Sequence, residues 1–471
     1  MPALSATQTL IALDEKRMSC RELMSETLSQ IHKINSSVNA ICTLIDKEEA
    51  LRLAAQADVE RAQRKNDLGP LHGLPIAVKD SAATKGIRTT LGSPIFADHI
   101  PQHDGLVVER IKSSGAIIIG KTNIPEFATG CNTFNPIFGA TRNPWDLTKT
   151  VGGSSGGAAA ALSTEMLCIA DGSDMGGSLR NPAAFCGVVG FRPSIGRIPL
   201  WPTEMAWHAR LATEGPMARN VTDCALLLSA LVGFDPRDPL AIQSNPEIFR
   251  KPLERDFSNL KVGWTPDLGM LPMENEIVSV CEATLPIWEE CNLKVVAHAP
   301  DLSEAMNAFK VLRASYFAQF GGALLEKHRD QMKETVIENI EAGLSLTSKD
   351  VAKADAARTE MYAALIEFFK DHEFLILPST QVSPFNVEQE WIPEINGQKL
   401  NSYLDWMSIC CIISLFGLPA LSLPCGFTSK GLPVGLQIVG KPQGDLDVLR
   451  VAHTMERALN IDTRPPLLSG D

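Results

Sequence analysis

The spacing of apolar residues changes along the chain, and the changes divide it into elements. Up to about residue 65, apolar positions recur every three or four residues, as one face of an amphipathic helix requires. Ser19 and Glu22 have the spacing of a capping box, which marks the start of a helix. The pattern therefore predicts a helical N-terminal arm over residues 1–65.

From residue 66 onward, short apolar runs alternate with helical patterns. The runs predict strands at 76–79, 116–120, 166–170 and 374–378, and a terminal hairpin at 420–424 and 435–440. The helical patterns lie at 107–113, from residue 156, at 275–292 and at 303–370 with a break near 343–348. This alternation predicts an α/β fold whose helices cover both faces of a mostly parallel or mixed sheet. Since no repeat or low-complexity linker interrupts the pattern, we expect one domain over 1–471, with the arm at 1–65 and the core at 66–471.

Composition narrows the cellular setting and the class of partner. The chain is 45% hydrophobic and 21% charged, which is enough apolar material for a sizeable core. A net charge of -12 with no lysine or arginine cluster argues against a nucleic-acid partner. The N-terminus lacks the pattern of a signal peptide, and the longest apolar run, 409–415, is too short to cross a bilayer. The 11 scattered cysteines contain no CxxC pair, so we expect free thiols, a cytoplasmic location and no membrane partner.

Metal and cofactor motifs do not occur in this sequence. Its nine histidines form no HExxH and no other clustered ligand spacing. The glycine-rich segments match neither a phosphate loop nor the dinucleotide fingerprint. We therefore predict a protein that uses no metal and no cofactor.

The most informative residues are two glycine-flanked serines and one lysine. Ser154 and Ser178 lie in the glycine-rich stretch 150–193, and Lys79 ends the apolar run of GLPIAVKD. Each has a plain explanation: a flexible turn for either serine, and a snorkelling strand-end side chain for the lysine. GGSSGG also satisfies GxSxG, but a polar, proline-broken loop precedes it where a nucleophile elbow needs a strand. Taken together, the three residues could supply a nucleophile, a proton relay and a base, which is what amide hydrolysis requires.

Five segments carry a resemblance to a known family. They are GLPIAVKD, TNIPEFATG, NPWDLTKTVGGSSGGAAAALS, ADGSDMGGSLRNPAAFCGVVGFRPS and FGLPALSLPCGFTSKGLPVGLQIVG. With these motifs the chain resembles the amidase signature family from about residue 20 to residue 460. The resemblance implies one mixed β-sheet enclosed by helices, with Ser178 as nucleophile, Ser154 as a bridging serine beside a cis peptide bond, and Lys79 as general base. It also places an oxyanion hole at the backbone N–H groups of Met175, Gly176, Gly177 and Ser178.

The proposed base needs a particular environment. Lys79 can accept a proton only as a neutral amine, whereas an unperturbed lysine has a pKa of about 10.4. Burial in an apolar sheet lowers that pKa. Because neighbouring strand residues point to opposite faces, Asp80 is expected to turn away from Lys79.

The residues around the serines suggest the substrate class. Met175 stands where relatives have threonine and adds apolar bulk beside Ser178, and the segment Phe127-Ala128-Thr129 resembles the one that lines the acyl side in relatives. Trp201 and Trp207 follow the nucleophile segment in irregular chain, where binding residues concentrate. We expect small neutral aryl or alkyl amides, cleaved through a serine acyl-enzyme, to be bound by Ala128, Thr129, Met175, Trp201 and Trp207. Carbamates, anilides and esters stay open as further substrates.

Two other functions are compatible with the resemblance. The first is the amidase subunit of a glutamine-dependent tRNA amidotransferase, which works with partner subunits. The segment 198–207 argues against it, because it is apolar and aromatic where a glutamine site needs polar recognition. The second is a catalytically silent relative, which the intact Lys79, Ser154 and Ser178 disfavour. The expected partner is a small-molecule amide, and the chain is expected to be a monomer or homodimer.

Overall fold

The computed structural model describes residues 4–63, 67–207 and 210–468. The α-helices in these ranges are α1 (Ala6–Asp14), α2 (Cys20–Val38), α3 (Lys47–Gln63), α4 (Leu106–Ser113), α5 (Gly156–Ser163), α6 (Arg180–Cys186), α7 (Val221–Leu231), α8 (Asn275–Glu282), α9 (Leu285–Glu290), α10 (Ala305–His328), α11 (Glu334–Leu344), α12 (Ser348–Asp371), α13 (Ser408–Leu415) and α14 (Asp445–Leu459). The strands are β1 (Ile41–Leu44), β2 (Pro75–Lys79), β3 (Ile117–Thr122), β4 (Phe134–Asn135), β5 (Gly139–Ala140), β6 (Arg142–Asn143), β7 (Asp146–Thr150), β8 (Ile169–Asp174), β9 (Val189–Arg192), β10 (Thr213–Ala218), β11 (Lys261–Trp264), β12 (Lys294–Ala297), β13 (Phe374–Pro378), β14 (Glu394–Ile395), β15 (Gln398–Lys399), β16 (Ala420–Phe427) and β17 (Pro433–Gly440).

The N-terminal arm is mostly helical, as its apolar spacing predicts. The capping box at Ser19 and Glu22 is present at the start of α2. The prediction missed strand β1, which follows a left-handed Asn39 that ends α2. This strand pairs antiparallel with β3 and so ties the arm to the core. Residues 64 and 65 lie outside the described ranges.

A mixed eight-stranded sheet forms the centre of the fold, which confirms the predicted α/β class. Its strand order is β12-β11-β13-β17-β16-β9-β10-β8. The pairs β12-β11 and β11-β13 are parallel, and the remaining neighbours are antiparallel. The predicted terminal hairpin is the antiparallel pair β16-β17.

The strand that carries Lys79 belongs to a second, smaller sheet. Strand β2 pairs parallel with β3, and the order of this sheet is β1-β3-β2. The end of β2 meets the edge strand β8 through a side chain, because Asp171 Oδ1 accepts the backbone N–H of Lys79 at 3.0 Å. The base predicted from the sequence and the glycine-rich segment after β8 are thus brought together where the two sheets meet.

Helix α5 packs between the two sheets, and the close packing there explains why it consists mostly of glycine and alanine. All of its residues, GGAAAALS, are buried. A Cβ at Gly157 would lie 2.3 Å from the backbone nitrogen of Asn123, so only glycine fits there. The helix contacts β2, β8 and β10, which places its N-terminal residues, next to Ser154, between the strands of both sheets.

The long helical region after residue 303 is divided twice. The break predicted near 343–348 is confirmed, because α11 ends at Leu344 and Thr347 caps α12. A second break, at 329–333, was not predicted. Within the described ranges, no helix is both long and apolar enough to span a membrane.

Candidate active site

A cavity of about 570 Å³ opens where the glycine-rich segments meet. Four serines contribute to its lining: Ser81, Ser154, Ser173 and Ser178. Met175 and Gly176, from the segment after β8, lie beside them. Polar hydroxyls in a mostly apolar cavity are typical of a small-molecule site.

Lys79 reaches these serines from the end of β2. Its side chain is fully buried, and its Nζ lies 2.8 Å from Ser154 Oγ, 2.9 Å from Ser155 Oγ and 2.9 Å from Ser173 Oγ. Three hydroxyls therefore surround the amine and fix its position. The structure brings together the two residues that the sequence paired as base and bridging serine.

Burial makes the neutral form of Lys79 more accessible than it is in an exposed lysine. Burial lowers the pKa of Lys79 to about 8, against the opposing effect of nearby negative charges, of which Glu214 is the strongest. Asp80 faces away, as expected from its place after Lys79. Its Oδ2 accepts the hydroxyl of Thr90 at 2.5 Å. An amine with a lowered pKa beside serine hydroxyls can accept a proton at neutral pH.

The two glycine-flanked serines come from segments that touch each other. The peptide bond Gly153–Ser154 is cis, as the family resemblance implied. The N–H of Ser155 donates to the carbonyl of Ser178 at 3.2 Å. Ser154 and Ser178 both line the cavity, and among the residues the structure describes no hydrogen bond joins their two hydroxyls.

A buried ion pair holds the segment that carries Ser178. Burial alone would raise the pKa of Asp174, but the charges of Arg180 and Arg192 hold it well below its ordinary value. The Arg180 guanidinium contacts both carboxylate oxygens of Asp174, at 3.0 and 2.9 Å. Arg180 therefore stabilises this segment, and its guanidinium donates its hydrogen bonds to protein groups.

Asp174 also changes the predicted oxyanion hole. Its Oδ1 accepts the N–H of Gly177 at 2.8 Å, and its Oδ2 accepts the N–H of Leu179 at 3.1 Å. The N–H of Gly177 is thus directed at a carboxylate inside the loop, and the prediction that it faces the oxyanion needs correction. Of the four predicted amides, those of Met175, Gly176 and Ser178 stay candidates.

Sequence and structure comparisons agree with this arrangement. The family model described as Amidase matches residues 22–449. The chain belongs to the amidase signature family. It is similar to an acylamidase of Rhodococcus erythropolis, with 34% identity over 96% of this chain and 95% of that protein. It is also similar to one of the subunits of the glutamyl-tRNA(Gln) amidotransferase of Moorella thermoacetica, with 34% identity over 99% of this chain and 98% of that protein.

A solved structure of the same family shares the fold. It is a bacterial aryl acylamidase, with a TM-score of 0.92 and 27% identity over 99% of both chains. The predicted family and fold are thereby confirmed, and the chain is an amidase. The acylamidase and the amidotransferase component are equally similar in sequence, so these relatives do not separate the two substrate classes.

The predicted substrate residues of this amidase lie in different places. Ala128 and Met175 line the cavity. Thr129 is buried but does not contribute to the lining, and its hydroxyl is 3.3 Å from the carbonyl of Phe127. Trp201 and Trp207 do not line it either, and Trp207 is 81% exposed. The loop at 199–205 instead turns Leu200, Pro202, Thr203, Glu204 and Met205 toward the cavity.

The aromatic wall of the cavity was predicted from the sequence only at Phe127, and the rings that α10 contributes were not. It comes from α10 and the turn before Ala128, and consists of Phe127, Phe309, Tyr316, Phe317 and Phe320. Phe320 packs against the ring of Phe127 at 5.4 Å between centroids and stacks on Tyr316. The signal was present in the chain, because the aromatic residues of α10 recur at helical spacing. Helical spacing alone predicts only that these residues belong to the long helix, not that they face a cavity.

We expect EDTA to leave the activity of this amidase unchanged. In the described ranges, no group of three or more His, Cys, Asp or Glu side chains is placed to hold a metal ion. Lys79 and the serines can move protons without a Lewis acid. The measurement is the rate of amide hydrolysis after dialysis against EDTA. Loss of activity that Zn²⁺ restores would contradict this expectation.

Proposed function

We propose that this amidase hydrolyses small, neutral aryl or alkyl amides through an acyl-enzyme formed on Ser178. The observation that carries the proposal is the 2.8 Å contact between Lys79 Nζ and Ser154 Oγ, beside the cavity that Ser178 also lines. It connects a buried amine, through one hydroxyl, to the place where a substrate carbonyl would lie. Anilides are the first substrates to test, and carbamates and esters follow from the same chemistry.

In the proposed mechanism, Ser178 Oγ attacks the amide carbonyl carbon. Ser154 takes the proton of Ser178 and passes its own proton to the neutral amine of Lys79. The carbonyl oxygen becomes an oxyanion, which the N–H groups of Met175, Gly176 and Ser178 are proposed to stabilise. When this intermediate collapses, the C–N bond breaks and the proton returns through Ser154 to the leaving amine. Water then attacks the acyl-enzyme by the same relay and releases the acid.

The two further hydroxyls at Lys79 are proposed to keep its amine in place. The hydroxyls of Ser155 and Ser173 both bond to Nζ, and these two contacts keep the amine within hydrogen-bond distance of Ser154. A base that is already oriented avoids the cost of ordering it during the reaction. The proposed order of events therefore requires no rearrangement of Lys79.

The shape and chemistry of the cavity support a neutral substrate. Its aromatic wall offers stacking surface for an aryl or alkyl group. Arg313 also lines the cavity, but its guanidinium bonds to Asn339 and the Tyr403 hydroxyl and lies 4.3 Å from the ring centroid of Phe317.

A second candidate is the amidase subunit of a tRNA-dependent amidotransferase. The similarity to the Moorella thermoacetica protein over nearly the whole of both chains favours it. That function would require glutamine as the amide donor and partner subunits. One panel separates the candidates: hydrolysis of anilides, primary amides, carbamates, esters and glutamine by the purified chain. A clear preference for glutamine and asparagine over anilides would refute the first proposal.

We expect Phe320→Ala to raise KM for an aryl anilide by on the order of tenfold and to change KM for acetamide far less. Phe320 contributes a ring to the cavity wall, and an aryl group offers more surface to pack against it than acetamide does. Trp207→Ala is the matched control, because it removes an aromatic side chain that is 81% exposed and outside the lining. Equal effects of Phe320→Ala on both substrates would contradict this assignment of the wall.

A further inference from the structure

Arg313 is a buried cation on the wall of the cavity. It lies on α10, lines the cavity and is only 6% exposed. The other buried arginines of the described ranges, Arg180, Arg192 and Arg197, each contact a buried carboxylate. Within those ranges, no carboxylate forms an ion pair with Arg313. Because a buried charge is costly unless it is paired, the position of Arg313 beside the cavity calls for an explanation.

Neutral groups hold the Arg313 side chain in place. Its Nη1 donates to Asn339 Oδ1, and its Nη2 donates to the hydroxyl of Tyr403. The guanidinium carbon lies 4.3 Å from the ring centroid of Phe317 and 5.6 Å from that of Tyr403. Such aromatic faces offset part of the charge. A guanidinium has more N–H donors than these two bonds use, and the Nε–H of Arg313 has no acceptor among the residues that the structure describes.

The wall around Arg313 adjoins the segment that carries Ser178. Phe309 lies one helical turn before Arg313, so the two side chains share a face of α10. A Cβ at Gly176 would lie 3.1 Å from Phe309 and 3.2 Å from Met407, which places both side chains close to the proposed oxyanion site. Phe309, Arg313 and Met407 line the same cavity as Ser178. A substrate that is attacked by Ser178 can therefore extend along this wall to the guanidinium.

The rest of the lining favours a neutral acceptor over an anion. In the described ranges, no lysine and no second arginine contributes to it, whereas Glu204 and Glu214 do. Glu204 is exposed, and its charge repels a carboxylate that enters the cavity. The two groups that already accept hydrogen bonds from Arg313, an amide oxygen and a hydroxyl, are neutral. A neutral oxygen of the substrate fits this pattern.

We propose that Arg313 is a substrate-binding residue that selects neutral amides with a second oxygen acceptor, such as a ketone or ether oxygen, away from the scissile bond. The inference rests on the proposed function and narrows its substrate class. A substrate oxygen accepts a hydrogen bond from the guanidinium, whereas an alkyl group of the same shape displaces water and leaves the donor without an acceptor. The selection acts on binding, and Arg313 takes no part in proton transfer.

The test compares kcat/KM for two series of anilides. One series varies the far end of the acyl chain at several chain lengths, and the other varies the para position of the aniline ring. In each series the varied group is acetyl, the isosteric isopropyl, or carboxylate. We expect Arg313→Met to lower kcat/KM for acetyl-bearing substrates about tenfold in at least one series and to change it far less for their isopropyl partners. The wild type should prefer acetyl over carboxylate.

Lys310→Met is the matched control. Lys310 is a second cation of α10, but it pairs with Asp405 and does not line the cavity. Its removal should leave the ratio of kcat/KM between acetyl and isopropyl substrates at the wild-type value. If Arg313→Met does not fold, Arg313→Lys decides. Its single ammonium cannot reproduce the fixed set of donors of a guanidinium, so the preference for acetyl should fall there too.

The outcomes separate this inference from the proposed function. A folded Arg313→Met or Arg313→Lys protein, verified by thermal melting, in which both members of every pair lose the same factor would overturn the inference and leave the proposed function standing. A wild-type preference for carboxylate over acetyl would overturn it as well, because the bound acceptor would then be an anion. A wild-type protein that hydrolyses none of these anilides and is not labelled at Ser178 by a fluorophosphonate would instead refute the proposed function.

Discussion

Ser178→Ala should lower kcat for amide hydrolysis by a factor on the order of 10⁴ or more. The proposed acyl-enzyme forms on this hydroxyl, and alanine leaves no atom that can attack the carbonyl. The fold should be unaffected, since within the described ranges the Ser178 hydroxyl forms no hydrogen bond with another residue. The backbone N–H groups of the segment stay in place, so substrate binding should persist.

The measurement compares kcat for one anilide in the wild type and the variant, with thermal melting as the check on folding. Ser81→Ala is the matched control, because Ser81 carries a hydroxyl into the same cavity. Its loss should change kcat by far less. Unchanged turnover in Ser178→Ala would remove Ser178 from the reaction.

Lys79→Met should be almost as damaging, with a loss in kcat/KM on the order of 10³ or more. Methionine fills a similar buried space but cannot accept a proton from Ser154. In the proposed mechanism only the neutral amine of Lys79 accepts a proton, so we expect kcat/KM to rise with pH. Burial lowers the pKa of Lys79 to about 8, and below that value kcat/KM should fall about tenfold for each pH unit.

A second buried lysine supplies a close control for this prediction. Lys121 on β3 is also fully buried, and burial lowers its pKa to about 8. Its Nζ bonds to the carbonyl of Ala82 and the hydroxyl of Thr84, not to the cavity serines. The fall in kcat/KM below about pH 8 should therefore be the same in Lys121→Met as in the wild type. A flat wild-type profile from about pH 5 to about pH 9, with chemistry shown to limit the rate, would refute Lys79 as the base.

Local sequence predicted the parts of the site that depend on backbone geometry. The glycines around Ser154 and Ser178 marked the segments that form the site, and the structure adds a packing reason for two neighbouring glycines: Gly157 and Gly172 leave no space for a Cβ. The apolar run before Lys79 predicted a buried strand and hence a lowered pKa. These features are encoded within a few residues of the groups they serve.

The substrate wall could not be predicted in the same way, because it is assembled from distant segments. Phe309 and Phe320 reach Met175 only through the packing of α10 over the cavity. Trp207 was expected to line the cavity because it follows Ser178 in irregular chain, but proximity in sequence does not fix the direction of a loop side chain. The hydrogen bond from the Gly177 N–H to Asp174 could not be predicted for a similar reason, because it depends on the rotamer of Asp174.

The residues proposed for catalysis come from two different sheets, so catalysis depends on the contact between those sheets. Lys79 ends a strand of the three-stranded sheet, whereas Ser173 and Ser178 belong to the edge of the eight-stranded sheet and the segment that follows it. The hydrogen bond from the backbone N–H of Lys79 to Asp171 ties the two sheets together at the lysine of the proposed proton relay. A small sliding of one sheet past the other would lengthen the contact between amine and hydroxyl while each sheet kept its own hydrogen bonds. A disturbance of the contact between the two sheets should therefore lower enzymatic activity before it changes the content of helix and strand.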